Sequence, residues 1–340
     1  MPDTTNSRKV EHIRIIREDR GADRRKFYFD DVRLKHRALP ELNLSDVDPA
    51  TEFLGKRLSF PLLISSMTGG DHSLVRKINR NLAIAAEAEQ VALGVGSQRV
   101  MFTNPKARAS FELREFAPTT LLFANLGAVQ LNYGFGISEC REAVAAVGAD
   151  ALCLHLNPLQ EAVQPEGDTN FAGLAEKIGA IAKGLKVPVI LKEVGAGISA
   201  EDVKLVLKKG VRIIDVAGSG GTSWSRIEHH RQNGGDLGLL FQDWGIPTPD
   251  ALRELAPFRK QITLIASGGI RSGLDIAKAV VLGASLGGLA QPFLEPAMQS
   301  PDAVRKVIQR LRREFVTAMF LTGCRNVKQM TGNSRLELLK

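Results

Sequence analysis

The sequence has few cysteines and few large aromatic residues. Its 340 residues include 3 Cys, 2 Trp and 2 Tyr. The three cysteines, Cys140, Cys153 and Cys324, are too few and too dispersed for a disulfide framework, and no two have the close spacing of a metal site. We therefore expect a reducing, cytoplasmic setting. The chain also has no basic run interleaved with aromatic residues, which disfavours a single-strand nucleic-acid platform.

Long apolar runs are absent as well. Residues 1–20 are polar and charged and lack the apolar core of a signal peptide, and nowhere is there a run of about 18 apolar residues. We expect neither export nor a membrane span. The formal charge of +8 suits an anionic partner, whether a phosphorylated metabolite, nucleic acid or an anionic surface. Charge alone does not choose among these partners.

Apolar runs alternate with amphipathic segments over most of the chain, which we interpret as one domain, residues 1–340. Residues 1–57 are basic and irregular and are expected to form an N-terminal arm. Eight apolar runs of strand length follow, at residues 61–66, 91–95, 120–125, 151–156, 187–192, 211–217, 262–266 and 285–290. Helical periodicity lies between them, at residues 74–89, 138–147, 171–181, 200–208, 249–255, 274–282 and 301–320. This alternation predicts the α/β class and a (β/α)8 TIM barrel.

In such a barrel the active site lies at the carboxyl ends of the strands. The segment after the fourth run, residues 155–168, is the richest in polar side chains, and Pro158 and Pro165 predict a stiffened loop there without a regular helix. The connection after the sixth run, residues 219–248, is about 30 residues long where most loops need only a few. It is either a mobile lid over the barrel mouth or plain disorder, and the sequence leaves both open.

A glycine turn follows the seventh run. Residues 267–273 read Ser-Gly-Gly-Ile-Arg-Ser-Gly, so backbone N–H groups and a helix N-terminus can approach an anion closely. Because phosphate groups often bind after strands seven and eight of a barrel, this turn predicts a phosphate site, with a plain tight turn as the alternative. Lys192, at the end of the fifth run, would point into the same mouth, unless it is a structural lysine paired with Glu193.

Eight short motifs stand in the arm and at these strand ends. They are Arg8-Lys9-x-x-His12, Met67-Thr68-Gly69-Gly70, Ser97-Gln98-Arg99, His155-Leu156-Asn157-Pro158-Leu159-Gln160-Glu161, Gln164-Pro165-Glu166-Gly167-Asp168, Lys192-Glu193-Val194-Gly195, Gly220-Gly221-Thr222-Ser223-Trp224 and Ser267-Gly268-Gly269. With them, nearly the whole chain resembles the type 2 isopentenyl diphosphate isomerases, a family of FMN-dependent barrels. The fourth and fifth motifs are specific to that resemblance, whereas many FMN barrels share the glycine turn.

The resemblance implies interconversion of isopentenyl and dimethylallyl diphosphate in isoprenoid biosynthesis. A proton would be added and removed with reduced FMN as the acid–base group, with Mg²⁺ bound, and with NADPH or another reductant to reduce the flavin. The small-molecule diphosphate is the expected partner, without nucleic acid or a membrane span, and the chain is expected to form a homo-oligomer, a tetramer or an octamer.

The resemblance also implies the site residues. FMN would be bound by Ser66, Met67, Thr68, Ser97, Asn125, Lys192, Thr222, Gly268, Gly269, Arg271, Ala290 and Gln291. Substrate would be bound by Arg8, Lys9, His12, Ser97, Gln98, Arg99 and Gln160, with His155 and Asn157 also near the diphosphate. Glu161 would hold Mg²⁺, and the catalytic group would be Gln160, His155, Asn157 and Glu228. These roles agree with the cationic donors and hard cation that a diphosphate needs.

Rival functions remain. An FMN-dependent 2-hydroxy-acid oxidoreductase needs a His base and an Arg clamp after strand six, where residues 218–223 read Gly-Ser-Gly-Gly-Thr-Ser. A barrel-type dehydrogenase acting on nucleotides needs a cysteine there and is disfavoured for the same reason. A non-catalytic basic protein that binds RNA or another anion is the third, but it leaves the amides Asn157 and Gln160 in the mouth unexplained.

Overall fold

A computed structural model of the chain describes residues 4–24, 29–231 and 236–338. Its strands are β1 (Thr51–Phe53), β2 (Lys56–Leu58), β3 (Leu62–Ile64), β4 (Ala92–Gly94), β5 (Leu122–Gly127), β6 (Ala151–Leu156), β7 (Val189–Glu193), β8 (Ile213–Asp215), β9 (Thr263–Ser267) and β10 (Ala284–Leu289). Its α-helices are α1 (Thr4–Glu18), α2 (Ser73–Glu89), α3 (Arg99–Thr103), α4 (Ile137–Val147), α5 (Pro158–Val163), α6 (Leu174–Gly184), α7 (Ala200–Leu207), α8 (Trp224–Arg231), α9 (Leu237–Leu240), α10 (Thr248–Glu254), α11 (Gly273–Val281), α12 (Gln291–Gln299), α13 (Pro301–Leu321) and α14 (Val327–Met330).

Eight parallel strands close into a barrel in the order β10-β3-β4-β5-β6-β7-β8-β9. Each of them overlaps one of the eight apolar runs of the sequence, and helices stand between them as the periodicity predicts. The predicted (β/α)8 barrel is therefore confirmed. The runs are continuous rather than alternating because both faces of each strand are covered, and all six residues of β5 are buried.

The barrel interior is filled by one apolar cluster. Phe123, Cys153, Ile190 and Ile265 belong to it, and the helices pack on the outer face of the strands in a larger cluster. All three cysteines are buried and free. No helix in the described part of the chain is both long and apolar enough to cross a membrane.

A small antiparallel hairpin of β1 and β2 closes one end of the barrel. Thr51 pairs with Leu58 in its ladder, and Phe53 and Leu58 join the interior cluster. The ring centroids of Phe53 and Phe123 lie 6.1 Å apart. Because Leu121, just before β5, lies in the same cluster, the hairpin covers the amino ends of the strands and leaves the carboxyl ends open.

The N-terminal arm is not irregular throughout, contrary to the expectation from sequence. Residues Thr4–Glu18 form α1, whose Ile13 enters the main core and whose Ile15 packs with Ile227 of α8. Arg14 and Arg17 lie on its exposed side. The apolar contacts of α1 come from residues some 200 positions away, so local periodicity gave little sign of the helix.

The long connection at residues 219–248 contains two helices, α8 and α9, and we refer to it as the lid segment. Its ends are joined at the barrel, where the Ser219 amide donates to the Ile246 carbonyl at 2.8 Å. Within it the Ser225 hydroxyl donates to the Gly238 carbonyl. Ordered helices with internal hydrogen bonds argue against plain disorder for the described part of the segment. Residues 232–235 lie outside the described residues, and the mobility of the lid segment stays a prediction.

The prolines after β6 do not exclude a helix, which corrects a second expectation. Helix α5 begins at Pro158, in the first turn, where a backbone N–H has no intrahelical partner to lose. It ends at Val163, and Gln164 takes an extended conformation with ψ 140° because Pro165 follows it. The two prolines bound a short helix that carries Gln160 and Glu161.

Candidate active site

A cavity lies at the carboxyl ends of the barrel strands. Residues from all eight strand ends line it, and α1 and α8 contribute Lys9, His12 and Trp224. Every residue predicted to bind FMN is among the lining residues. The predicted substrate, catalytic and metal residues that also line it are Lys9, His12, Ser97, Arg99, His155, Asn157, Gln160 and Glu161. Arg8 lies in α1, but its side chain is outside the described residues.

Two predicted residues do not line this cavity. Gln98 is completely buried, and its side chain donates to the Ala143 carbonyl at 2.9 Å and accepts from the Asn125 amide at 2.9 Å. It fixes the loop after β4 and has no access to a substrate, so we withdraw its predicted substrate contact. Glu228 is also completely buried and is connected to the cavity through two lining side chains that it contacts, Gln160 and His12.

The glycine turn after β9 is packed tightly against its neighbours. Gly268 and Gly269 have φ of +93° and +75°, a region that favours glycine. A Cβ on Gly268 would lie 2.1 Å from the Gly218 carbonyl oxygen, and one on Gly221 would lie 2.9 Å from the Gly269 nitrogen. Backbone atoms therefore form this wall of the cavity, and α11 begins a few residues later, at Gly273. Such a wall suits a phosphate.

Arg271 stands beside this wall but has carboxylate partners already. Its Nη2 donates to Asp30 at 2.8 Å, and its Nε lies 3.5 Å from Asp275. The Arg271 side chain is 38% exposed and lines the cavity. A bound phosphate would have to share the guanidinium with these two carboxylates.

Lys192 is buried on the floor of the cavity in a closed polar triangle. Its Nζ lies 3.0 Å from Asp215 Oδ2 and 3.0 Å from Ser267 Oγ. The Ser267 hydroxyl in turn donates to Asp215 Oδ1 at 2.6 Å. Lys192 and Asp215 face each other because they are register partners on β7 and β8. The lysine thus has a carboxylate partner, but that partner is Asp215 and not the Glu193 that the sequence suggested.

Glu193 has a different function in the structure. Its Oε2 accepts from the backbone N–H groups of Val194, Gly195 and Gly197 at 2.6, 2.5 and 3.2 Å, and from that of Ala196. Burial raises the pKa of this carboxyl to about 7, although these N–H donors oppose the change. The side chain shapes the loop after β7 rather than serving as the partner of Lys192.

Two buried hydroxyls at the strand ends have no protein partner among the described residues. Ser65 Oγ and Thr68 Oγ1 line the cavity and make no hydrogen bond there. A buried polar atom without a partner costs about 1–3 kcal/mol. This cost points to a polar ligand, and together with the glycine wall it fits a bound flavin nucleotide.

Asn125 and His155 form a second polar pair deeper in the mouth. Asn125 Nδ2 donates to Ser66 Oγ at 2.8 Å and to the Val95 carbonyl at 3.1 Å, so its Oδ1 accepts from His155 Nδ1 at 2.7 Å. Burial, with Lys9 and Lys192 nearby, lowers the pKa of His155 to about 3. The imidazole is neutral in this structure, and it meets an anion as a cation only if that anion raises its pKa.

Glu161 has both carboxylate oxygens engaged. Oε1 accepts from Asn157 Nδ2 at 2.8 Å, and Oε2 accepts from the Asp168 amide at 2.7 Å and from Gln164 Nε2. Asn157 Oδ1 remains buried without a hydrogen bond from a described residue. No cluster of three metal-ligating residues occurs in the described part of the chain. A single oriented carboxylate is what Mg²⁺ needs when substrate phosphates and waters complete its shell.

Gln160 connects the cavity to a buried charge cluster. Its Nε2 donates to Glu228 Oε1 at 2.7 Å. His12 Nε2 lies 3.3 Å from the same oxygen, and Arg231 donates to the other one. Burial alone would raise the pKa of Glu228, but the hydrogen bond and charge of His12, with Gln160 and Arg231, lower it to about 2. Glu228 is therefore an anion that fixes the amide of Gln160.

Ion pairs connect α1 with α8 across the mouth. Arg226 Nε donates to Asp19 at 2.5 Å, and His230 Nε2 lies 2.8 Å from the same carboxylate. Arg231 contacts Glu11 at 3.4 Å. The ring of His12 packs edge-on against Trp224, with centroids 5.2 Å apart. The arm and the lid segment thus cover the cavity as one unit.

Arg99 is held by an acidic residue of the loop after β6. Its Nη1 donates to Asp168 Oδ2 at 2.7 Å, and Gln130 Nε2 donates to the same oxygen at 2.9 Å. Arg99 is about one-third exposed and lines the cavity. This geometry leaves part of the guanidinium for an anion in the mouth.

Sequence reasoning missed three residues that organise the site. Asp215 is a charged residue within the apolar run 211–217, and that interruption could have identified it. Arg24 is buried and donates to the carbonyls of Gly195 and Gln242 at 2.9 and 2.7 Å. Nothing in the sequence distinguishes Arg24 from the other basic residues of the arm. Arg231 was equally hidden beside the two histidines of the lid segment.

The chain matches known proteins over nearly its whole length. The family described as FMN-dependent dehydrogenase matches residues 148–336. A protein named isopentenyl-diphosphate delta-isomerase from Paracoccus zeaxanthinifaciens is 56% identical over 97% of this chain and 96% of that protein. Proteins of the same name from Nostoc sp. and Methanosarcina mazei are 46% and 45% identical, over 99% and 97% of this chain and 97% and 91% of theirs.

Solved structures of similar fold are flavin enzymes with lower identity. A flavocytochrome b2 mutant superposes with a TM-score of 0.70 at 17% identity, over 97% of this chain and 83% of that one. A mandelate oxidase mutant gives 0.62 at 20% identity, over 96% and 91%. These two similarities concern the fold alone. The FMN-dependent family and the close relatives together show that the chain is an isomerase that belongs to the type 2 isopentenyl diphosphate isomerase family.

Proposed function

We propose that the chain interconverts isopentenyl and dimethylallyl diphosphate in isoprenoid biosynthesis, with reduced FMN and Mg²⁺. The observation that carries this proposal is the composition of one cavity. It combines a glycine wall and unpartnered buried hydroxyls with a separate set of amides, a neutral imidazole and a fixed carboxylate, which are Asn157, Gln160, His155 and Glu161. The first part suits a flavin nucleotide and the second suits a small diphosphate with a metal ion.

FMN would be held by the residues that the sequence suggested. Gly268 and Gly269 would offer backbone N–H groups to its phosphate. The flavin would also provide a hydrogen-bond partner for the buried hydroxyl of Thr68. Lys192, the buried ammonium on the floor, would face the ring. When bound in reduced form, the flavin supplies a group that can give and recover a proton without net oxidation. NADPH or another reductant would be needed only to reach that form.

The diphosphate would lie under the arm. Lys9 and Arg99 are cationic residues that line that region, and Arg99 already has a carboxylate partner that orients it; Arg8 stays a predicted donor from the sequence alone. Glu161 would be the protein ligand of Mg²⁺, since its oxygens are fixed by three donors. We keep His155 and Asn157 beside the diphosphate, with the condition that His155 gains a proton when the anion binds.

Gln160 would face the reacting carbons, and Glu228 would act through it. Because Glu228 is completely buried and accepts from Gln160 Nε2, it determines which end of that amide points into the cavity. The other amide atom, Oε1, already accepts from Asn157 at 3.2 Å. Trp224 and His12 above these residues would exclude water from a cationic intermediate.

Further expectations belong to the same proposal. We infer a homo-oligomer, a tetramer or an octamer, a cytoplasmic setting, and a single domain of residues 1–340 in which residues 1–57 form the arm and 219–248 the lid. Residues 219–248 would open to admit substrate, as lids of barrel enzymes do. Size-exclusion chromatography with light scattering tests the assembly directly.

The decisive experiment separates proton transfer from redox chemistry. FMN-loaded enzyme is reduced anaerobically and given isopentenyl diphosphate and Mg²⁺ in D₂O, while the product is followed by NMR and the flavin by absorbance. We expect deuterated dimethylallyl diphosphate over many turnovers with an unchanged flavin spectrum. Gln160→Ala should slow this reaction strongly, and Gln299→Ala, on the exposed end of α12, should not. Turnover by fully oxidised enzyme, or one flavin oxidised per product, overturns the proposal.

A 2-hydroxy-acid oxidoreductase is the second candidate, because the solved structures of similar fold include mandelate oxidase and flavocytochrome b2. The loop after β8, residues 218–223, contains neither a histidine nor an arginine. Bleaching of the oxidised flavin by a panel of 2-hydroxy acids would favour that activity. We expect no bleaching.

A further inference from the structure

Asp215 has no role in the substrate chemistry described above, yet it is the most buried charged group on the cavity floor. Its side chain is 1% exposed, and it stands at the end of β8 above the apolar interior cluster. A carboxylate in such a place is costly unless a cation and hydrogen-bond donors compensate it. Lys192 and Ser267 provide both.

The triangle that these side chains form is closed by short contacts on all three sides. Asp215 Oδ1 accepts from the Ser267 hydroxyl at 2.6 Å and from the Ser267 amide at 3.2 Å, and Oδ2 lies 3.0 Å from Lys192 Nζ. Lys192 also donates to Ser267 Oγ at 3.0 Å. Lys192 Nζ thus donates one proton to Ser267 Oγ, pairs with Asp215 Oδ2 as an ion pair without a hydrogen bond to that oxygen from a described residue, and lines the cavity.

This pairing changes the charge that a bound ring meets. Lys192 alone would present a full positive charge, but the Lys192 and Asp215 pair has no net charge and presents a dipole with its positive end toward the cavity. The thiol of Cys153 lies close enough to feel both charges, and burial raises its pKa to about 12, so it adds no charge of its own. The nearest fixed charges on the floor are thus the members of this pair.

We propose that Asp215 is a positioning residue that sets the redox balance of the bound flavin by orienting Lys192 and offsetting its charge. The reduced ring is the more negative form, so the net charge next to it determines how strongly reduction is favoured. With the pair intact, Lys192 offers the ring one oriented N–H without stabilising the reduced form excessively. The inference rests on the flavin site of the proposed function but not on the isomerisation.

The test compares affinities for oxidised and reduced FMN in wild type, Asp215→Asn and Asp215→Glu. Apoprotein is titrated anaerobically with each form, and the midpoint potential of bound flavin is measured with dithionite and a reference dye. Asp215→Asn keeps the shape but leaves Lys192 uncompensated, so its preference for reduced over oxidised FMN should rise about tenfold, which is about 30 mV for a two-electron couple. Asp215→Glu keeps the charge and should stay within about twofold of wild type.

Two further variants keep the test decisive. Lys192→Met removes the cation and leaves Asp215, so the preference for reduced FMN should fall about tenfold, opposite to Asp215→Asn. Glu201→Gln removes an exposed carboxylate of α7 and is the control that should leave the ratio near wild type. Circular dichroism checks that each variant is folded. If one variant binds FMN too weakly to be measured, the sign of the change in the other still tests the inference.

An unchanged ratio in Asp215→Asn, or shifts of the same sign in Asp215→Asn and Lys192→Met, would overturn the inference. These measurements need no substrate. A protein that shows the opposite shifts but fails to isomerise the alkene would therefore refute the proposed function alone.

Discussion

Replacement of Glu228 by glutamine should destabilise the protein in a way that depends on pH. Glu228 is completely buried, and contacts with His12, Gln160 and Arg231 lower its pKa from 4.5 to about 2 despite burial. At about 1.4 kcal/mol per pKa unit, this difference corresponds to about 3 kcal/mol of folding free energy. Because the pKa is lowered on folding, that contribution is present above about pH 4.5 and is lost as the pH falls through about 2.

The expected change in melting temperature follows from the chain length. An unfolding entropy of about 2.1 cal/mol/K per residue gives about 0.7 kcal/mol/K for the whole chain, so Glu228→Gln should lower the Tm by about 4 °C at pH 7. At pH 3 the free-energy gap should shrink to less than half, because the unfolded wild-type chain then binds a proton at Glu228 that the folded protein does not bind.

Thermal unfolding followed by circular dichroism at pH 7 and pH 3 measures both values. Glu18→Gln is the matched control, because Glu18 is 63% exposed and forms a surface ion pair with Arg14 on α1; such surface pairs contribute less than about 1 kcal/mol. If the unfolding free energies of wild type and Glu228→Gln differ equally at the two pH values, the reasoning that the charge of Glu228 stabilises the fold is refuted.

Three other predictions concern the ligands. Arg24→Gln should weaken FMN binding about tenfold or more by releasing the loops that carry Gly195 and Thr222. Flavin fluorescence measures the affinity, with the exposed Arg14→Gln as control. Equal FMN affinities of Arg24→Gln and wild type would contradict the prediction. Glu161→Gln should cost about 10–100-fold in Mg²⁺ affinity without loss of flavin, and activity that survives both this change and chelation of Mg²⁺ would show another metal ligand. Pyrophosphate binding near pH 6 should be accompanied by proton uptake at His155, because the anion opposes the effect of burial, which lowers the pKa of His155 to about 3. Calorimetry in two buffers of different ionisation enthalpy detects the proton uptake. Uptake that persists in His155→Asn would assign the proton to another group.

The barrel could be predicted because its signals are local. Parallel strands covered on both faces appear as continuous apolar runs, and the polar residues that follow each run mark the carboxyl ends. The residues predicted to bind FMN then lie around one cavity because strand ends converge there in any such barrel. The prolines around α5 were misinterpreted because a proline in the first turn of a helix and one just past its end look, in sequence, like two helix breakers.

Other features could not be predicted because their partners are distant in sequence. Helix α1 has a short apolar stripe whose partners include Ile227 of α8 and the main core. Gln98 stands between two residues that line the cavity, Ser97 and Arg99, but its own side chain points to Ala143. Neither the helix nor the direction of that amide follows from neighbouring residues, because tertiary contacts determine both.

The contacts of Arg24 connect the arm with the loops of the predicted flavin site. The guanidinium donates to Gly195 after β7, to Ser219 and Gly221 after β8, and to Gln242 at the far end of the lid segment. The backbone continues this connection, since the Arg24 amide donates to the Gly221 carbonyl at 3.2 Å and the Ser223 amide donates to the Ala22 carbonyl at 2.8 Å. Gly221 in turn packs against the Gly269 nitrogen. Movement of the arm would therefore be transmitted through one buried side chain to the glycine wall, and opening of the mouth and loosening of the flavin phosphate should occur together.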